Sequence, residues 1–160
     1  MTDTEPLAFE RPPIRQGTTV EASREHTFDT FVRRIGDWWP LRPYSIGQDR
    51  IVSVTFEERA GGRVYEAWDD GSEVTWGHLL DWNPPEGFTM TWEVLPAVTE
   101  VELTFRSLGP RLTRVDLVHR GWDRLTSEQL AAATSAPGGY EAGWARVLEA
   151  LRSAATAQTQ

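Results

Sequence analysis

A chain of 160 residues has the size of one domain able to hold a core or an internal pocket. Its formal net charge of −8, from 16 Lys+Arg against 24 Asp+Glu, argues against general binding to nucleic acid or to an anionic membrane. The lack of cysteine excludes disulfides and thiolate metal sites, and no apolar run approaches membrane-spanning length.

Residues 1–13 are polar and carry Pro6, Pro12 and Pro13, so a flexible tail is expected there, ahead of a single domain over 14–156 and a frayed end at 157–160. Residues 14–22 alternate weakly and include the β-branched Thr18, Thr19 and Val20, which predicts a first strand. Ser23 is a good N-cap, and Phe28, Phe31, Val32 and Ile35 follow at i, i+3, i+4 and i+7. An amphipathic helix is therefore expected to run up to Gly36, with His26 on its exposed side. In Asp37-Trp38-Trp39-Pro40 two adjacent tryptophans cannot share one helix face, so the segment is either a corner of the core or, with the residues up to Tyr44, a lid.

From residue 51 the signals are those of strands. Residues 51–57, 63–68, 73–82, 88–93, 100–106 and 113–119 carry the β-branched, aromatic or alternating patterns of strands and are separated by turns such as Asp69-Asp70-Gly71. Val101, Leu103 and Phe105 alternate with Glu100, Glu102, Thr104 and Arg106, and Thr113, Val115, Leu117 and His119 share one face. Val74, Trp76, His78 and Leu80 also alternate, but Leu79 and Leu80 are adjacent and only one of them can face inward. Short turns between about six successive strands predict an antiparallel meander. Thr126-x-x-Gln129 is a capping-box pattern for a short helix, broken by Ser135-Ala136-Pro137-Gly138. Tyr140, Trp144, Val147, Leu148 and Leu151 then form an apolar stripe with a 3.6-residue period, predicting a last helix over 139–155. That stripe needs a broad surface to bury against, which the strands can supply.

The order of a strand, one or two helices, six antiparallel strands and a long last helix is that of the α+β helix-grip fold. The motifs Asp37-Trp38-Trp39-Pro40, Phe56-Glu57, Gly61-Gly62-Arg63-Val64-Tyr65-Glu66 and Trp76-Gly77 resemble the START-like (SRPBCC) superfamily. So do Trp82-Asn83-Pro84-Pro85, Met90-Thr91-Trp92, Thr99-Glu100-Val101, Thr113-Arg114-Val115, His119-Arg120-Gly121 and Gly139-Tyr140 with Gly143-Trp144. Within it the chain is similar to the branch named for activators of the heat-shock chaperone ATPase, over residues 14–155. The resemblance implies a curved antiparallel sheet wrapped round the C-terminal helix, with a cavity between them that takes a hydrophobic or aromatic small molecule. Relatives include polyketide aromatase/cyclases and small resistance proteins that sequester toxic natural products.

Two constellations carry chemistry. Val64, Glu66 and Trp68 share one strand face and His119 ends another, so an acid and an imidazole are expected to look inward. They either do acid–base work on a bound metabolite or make structural hydrogen bonds. The aromatic set Trp38, Trp39, Trp68, Trp76, Trp92, Tyr140 and Trp144 either lines a pocket or fills a core. With Met90, Phe105, Glu66 and His119 it makes up the candidate ligand-binding residues. His26, His78 and His119 show no metal-ligand spacing, and no nucleophile elbow, phosphate-cradling loop or dinucleotide fingerprint is present. The expectation is a cytoplasmic small-molecule-binding module without a cofactor, as monomer or homodimer. A cavity enzyme of cyclase, dehydratase or hydrolase type is the first alternative, and a partner of a heat-shock ATPase the second.

Overall fold

The computed structural model describes residues 11–40, 45–133 and 139–157. Residues 1–10 of the tail expected over 1–13, residues 41–44 of the segment expected as a core corner or a lid, the helix break at 135–138 and the last residues of the chain lie outside these.

Strand β1 (Ile14–Val20) leads into helix α1 (Arg24–Arg33) and the one-turn helix α2 (Ile35–Trp38). Six strands follow: β2 (Ile51–Phe56), β3 (Arg63–Trp68), β4 (Glu73–Asn83), β5 (Gly87–Trp92), β6 (Thr99–Gly109) and β7 (Leu112–Arg120). A short helix α3 (Ser127–Ala133) precedes the long helix α4 (Gly139–Ala157). The strands form one antiparallel sheet in the order β1-β7-β6-β5-β4-β3-β2. Every neighbour from β2 to β7 is thus a hairpin neighbour, and only β1 joins out of sequence, on β7. This is the helix-grip arrangement.

Local chemistry accounts for most boundaries. The Ser23 hydroxyl accepts the His26 amide at 3.1 Å and starts α1. Thr126 and Gln129 exchange side-chain-to-amide bonds of 3.0 Å in each direction, a closed capping box ahead of α3. Gly61 and Gly71 sit at φ +84° and +89°, backbone that favours glycine in two hairpin turns. Gly36 does not end the first helix as expected. The break falls at Arg34, and the chain turns directly into α2. His26 is not on an exposed side either: its Nε2 lies 3.0 Å from the Ala155 carbonyl oxygen, joining α1 to the last turns of α4.

In β4 the face expected for Trp76, His78 and Leu80 does not persist. Trp76 and Leu79 are buried while His78 and Leu80 point outward. The irregularity between the Val64–Gly77 and Tyr65–Thr75 pairs causes this, and a second one between Leu79–Met90 and Asp81–Thr89 brings Trp82 back to the inner face. Each inserts one residue and moves the following side chains to the opposite face. At Gly77 a Cβ would lie 1.7 Å from the Thr91 carbonyl oxygen, so the bulge admits only glycine there.

The core lies between the concave sheet face and the α1/α4 side. Trp144, Val147, Leu148, Leu151 and Ala155 of α4 are all buried. Burial of each large apolar side chain contributes about 1.5–3 kcal/mol, so the stripe is the main reason α4 stays gripped.

Candidate functional site

The interior has a tryptophan centre and a polar group on each side of it. Trp39 follows α2, Trp76 stands on β4, Trp92 on β5 and Trp144 on α4. Their rings meet at centroid distances of 5.0 Å (Trp39–Trp76), 6.0 Å (Trp76–Trp92), 5.2 Å (Trp92–Trp144) and 6.0 Å (Trp39–Trp144). Together with Phe31, Ile35, Phe56, Val64, Phe88, Met90, Val101 and Leu103 they line an apolar void of about 10 Å³, room for roughly one water-sized sphere. The four tryptophans and Met90 of the expected ligand set therefore share one wall. Trp38 lies behind it, donating its Nε1–H to the Thr30 carbonyl at 2.8 Å and packing on Phe31 at 5.2 Å. Trp38 and Trp39 do pack in different directions, and both are buried as a corner of the core. Phe105 packs farther along the sheet, against Phe28 and Phe31.

Glu66 is fully buried on β3. Its Oε1 accepts the Trp76 indole N–H at 2.6 Å and the Ile46 amide at 3.1 Å. Its Oε2 accepts the Trp68 indole N–H at 2.7 Å and the Gly47 amide at 2.6 Å. Four donors match the roughly four lone-pair directions of a carboxylate, so none is left over. Trp68 is half-buried, its ring covered by the Arg50 guanidinium at 4.4 Å, and Arg50 in turn pairs with Asp70 at 3.1 Å.

His119 is also fully buried, at the end of β7. Its Nδ1 receives the Trp144 indole N–H at 3.0 Å, and an indole can only donate. Nδ1 is therefore unprotonated and Nε2 carries the proton, which goes to the Thr99 hydroxyl at 2.7 Å. The Thr99 hydroxyl faces the Trp92 carbonyl at 3.5 Å. Trp122, Tyr140, Trp144 and Trp92 surround the imidazole at 4.4, 5.5, 5.8 and 6.0 Å. Burial in this aromatic box pushes its pKa down to about 3, so it is a neutral hydrogen-bond relay at any ordinary pH. Tyr140 accepts the Trp92 indole N–H at 3.3 Å, and burial raises its own pKa.

Glu66 and His119 thus look into the same side of the sheet, but Trp76 and Trp92 stand between them and neither lines the void. With both imidazole nitrogens and both carboxylate oxygens engaged, this arrangement holds no free base. Several partners escape sequence reasoning. The Ile46 and Gly47 amides have no side-chain signature, and Thr99 reads only as a strand residue. Trp122 stands three residues after His119, past the positive-φ Gly121 (φ 101°) that folds it back so that its indole N–H reaches the His119 carbonyl at 2.9 Å. The sharp turn at His119-Arg120-Gly121 was the available signal. Among the described residues no three His, Asp or Glu side chains gather as a metal site, and no helix is long and apolar enough to cross a membrane.

Comparison with known proteins agrees with this architecture. The family model described as activator of Hsp90 ATPase homolog 1-like protein matches residues 21–156. The solution structure of CalC from Micromonospora echinospora, described as a self-sacrificing resistance protein, has a TM-score of 0.68 at 27% identity, covering 92% of this chain and 96% of that one. The anthrahydroquino-gamma-pyrone synthase Txn09, solved in a complex, is 32% identical with a TM-score of 0.53, over 90% of this chain and 89% of that one. The Aha1 dimer from Colwellia psychrerythraea shares the fold, with a TM-score of 0.63 at 14% identity over 91% and 97%. No curated protein matches the chain.

Proposed function

We infer that this chain, which belongs to the family of activator of Hsp90 ATPase homolog 1-like proteins, binds a flat aromatic small molecule between its sheet and its last helix. The observation that carries this is the tryptophan wall: four indoles from separate parts of the chain converge on one apolar void, two of their contacts edge-to-face and two tilted. Aromatic faces offset or tilted in this way gain most from a flat π-system inserted among them. The relative described as an anthrahydroquino-gamma-pyrone synthase and the one described as a resistance protein support a natural-product guest.

A void of about 10 Å³ is far below the roughly 300–1,000 Å³ of a small-molecule site, so the guest displaces side chains. Trp39 is the natural one to move, because it follows a one-turn helix, whereas Trp76, Trp92 and Trp144 are fixed on two strands and α4. Binding is then sequestration or delivery, with the protein closing on its guest. An enzymatic reading has one observation in its favour, the synthase description of the 32% identical relative. It requires Glu66 or His119 to exchange a present partner for the substrate.

The test is a titration of intrinsic tryptophan fluorescence with anthraquinone, with a saturated fatty acid as contrast. Saturable quenching by the aromatic probe and none by the fatty acid is the expected result. No saturable change with either, confirmed by calorimetry, rejects the guest site.

A further inference from the structure

Resting on that guest-site reading, we propose that the Glu66 carboxylate is the polar anchor of the site, and that its guest carries two neighbouring hydrogen-bond donors, as a 1,2-dihydroxyaryl ring does. The two oxygens of Glu66 are each shared between one indole N–H and one backbone amide. The indoles belong to strands β3 and β4. The amides belong to adjacent residues, Ile46 and Gly47, one to each oxygen at 3.1 and 2.6 Å. Two adjacent donors addressing a carboxylate in this bidentate way is the pattern a vicinal diol presents. The loop occupies the carboxylate in the guest's absence.

The loop half of this cradle is the replaceable half. Ile46 leaves 45% of its surface in solvent although it is a large apolar residue. Gln48 holds φ +49°, a left-handed backbone that a side chain disfavours. Gly47 fits only because it lacks a Cβ, which would lie 2.3 Å from Trp68 Nε1 and 2.9 Å from Glu66 Oε2. The indole half is fixed: Trp68 lies under Arg50, and Trp76 is part of the void wall. Trp76 also gives continuity, since its N–H meets Glu66 while its ring faces Trp39 across 5.0 Å. An aromatic body lying along Trp76 brings its edge to the carboxylate. A carboxylate accepts and never donates, so a guest presenting carbonyl or ether oxygens at that edge is rejected.

The full chain is titrated with three probes: 2,3-dihydroxyanthraquinone, whose hydroxyls are too far from the quinone carbonyls to bond to them internally, its 2,3-dimethoxy analogue and unsubstituted anthraquinone. The dihydroxy probe should bind at least about ten-fold more tightly than the dimethoxy one, the scale expected of charge-assisted bonds. Glu66→Gln should abolish that preference, because an amide NH2 cannot accept from a donor. Gly47→Ala leaves the carboxylate intact but forces the loop off it, and should tighten dihydroxy binding. Should anthraquinone bind while the dihydroxy probe gains less than about ten-fold over the dimethoxy one, or Gly47→Ala weaken it, the anchor is wrong and the guest site stands. If none of the three binds, both readings fall. The wild-type comparison decides even where a variant does not fold.

Discussion

Glu66 and His119 are both wholly buried polar side chains on the concave face of one sheet, and each is saturated with hydrogen bonds, yet they are held by different kinds of partner. His119 is tied to Thr99 on β6 and Trp144 on α4, side chains of regular elements packed on both sides of it. Half of the Glu66 partners are amides of a short surface loop. Satisfaction alone therefore does not distinguish a polar group locked into the core from one whose partners can be replaced. What distinguishes them is the cost of taking the partner away, which is core disruption at His119 and movement of a short loop, with Ile46 exposed and Gly47 buried, at Glu66.

The sharpest challenge to this contrast is Trp144→Ala. It removes a buried indole and strips Nδ1 of His119 of its donor, so a loss of about 4 kcal/mol is expected from urea denaturation. A loss near 1 kcal/mol would mean that the His119 end is as pliable as the loop end. Next in size is acid sensitivity. His119 is held at a pKa of about 3 when folded against an ordinary 6.5, so between these values the unfolded chain carries the extra proton. Stability should fall as pH drops from about 6.5 towards 3, by at most about 1.4 kcal/mol per unit from this group. His119→Gln can still accept from Trp144 and donate to Thr99 but cannot titrate. Its urea midpoint should decline less steeply than the wild type between about pH 6.5 and 4. Identical slopes would show that the imidazole is not shielded. The smallest effect belongs to the loop: Gln48→Gly relieves the left-handed strain but adds unfolded-state freedom, and should change stability by no more than about 0.5 kcal/mol. A larger loss would reveal a Gln48 side chain that anchors the loop, and the contrast with His119 would shrink.

Much of the scaffold is legible in the residues. The alternation of Val101, Leu103 and Phe105 and of Thr113, Val115, Leu117 and His119 appears in the buried faces of β6 and β7. The capping box at Thr126 and the stripe from Trp144 to Leu151 likewise became a short helix and the gripped helix. Where the reading slipped, a local irregularity intervened. A bulge in β4 at Trp76 turned His78 and Leu80 outward, and no period-2 pattern can announce an inserted residue.

The sequence by itself determined the helix-grip order, the inward faces of β6, β7 and α4 and the identity of the buried acid and imidazole, because those follow from period, turn chemistry and the energetics of burial. Tertiary structure alone decided what each polar group touches. It brought Ile46 and Gly47, some twenty residues upstream, onto Glu66, and Trp144 onto His119 from the far end of the chain. It also decided that the tryptophans close over a void scarcely larger than a water molecule. Hydrogen-bond partners and ring contacts depend on distances of a few ångströms between segments remote in the chain, and no local pattern of residues encodes those.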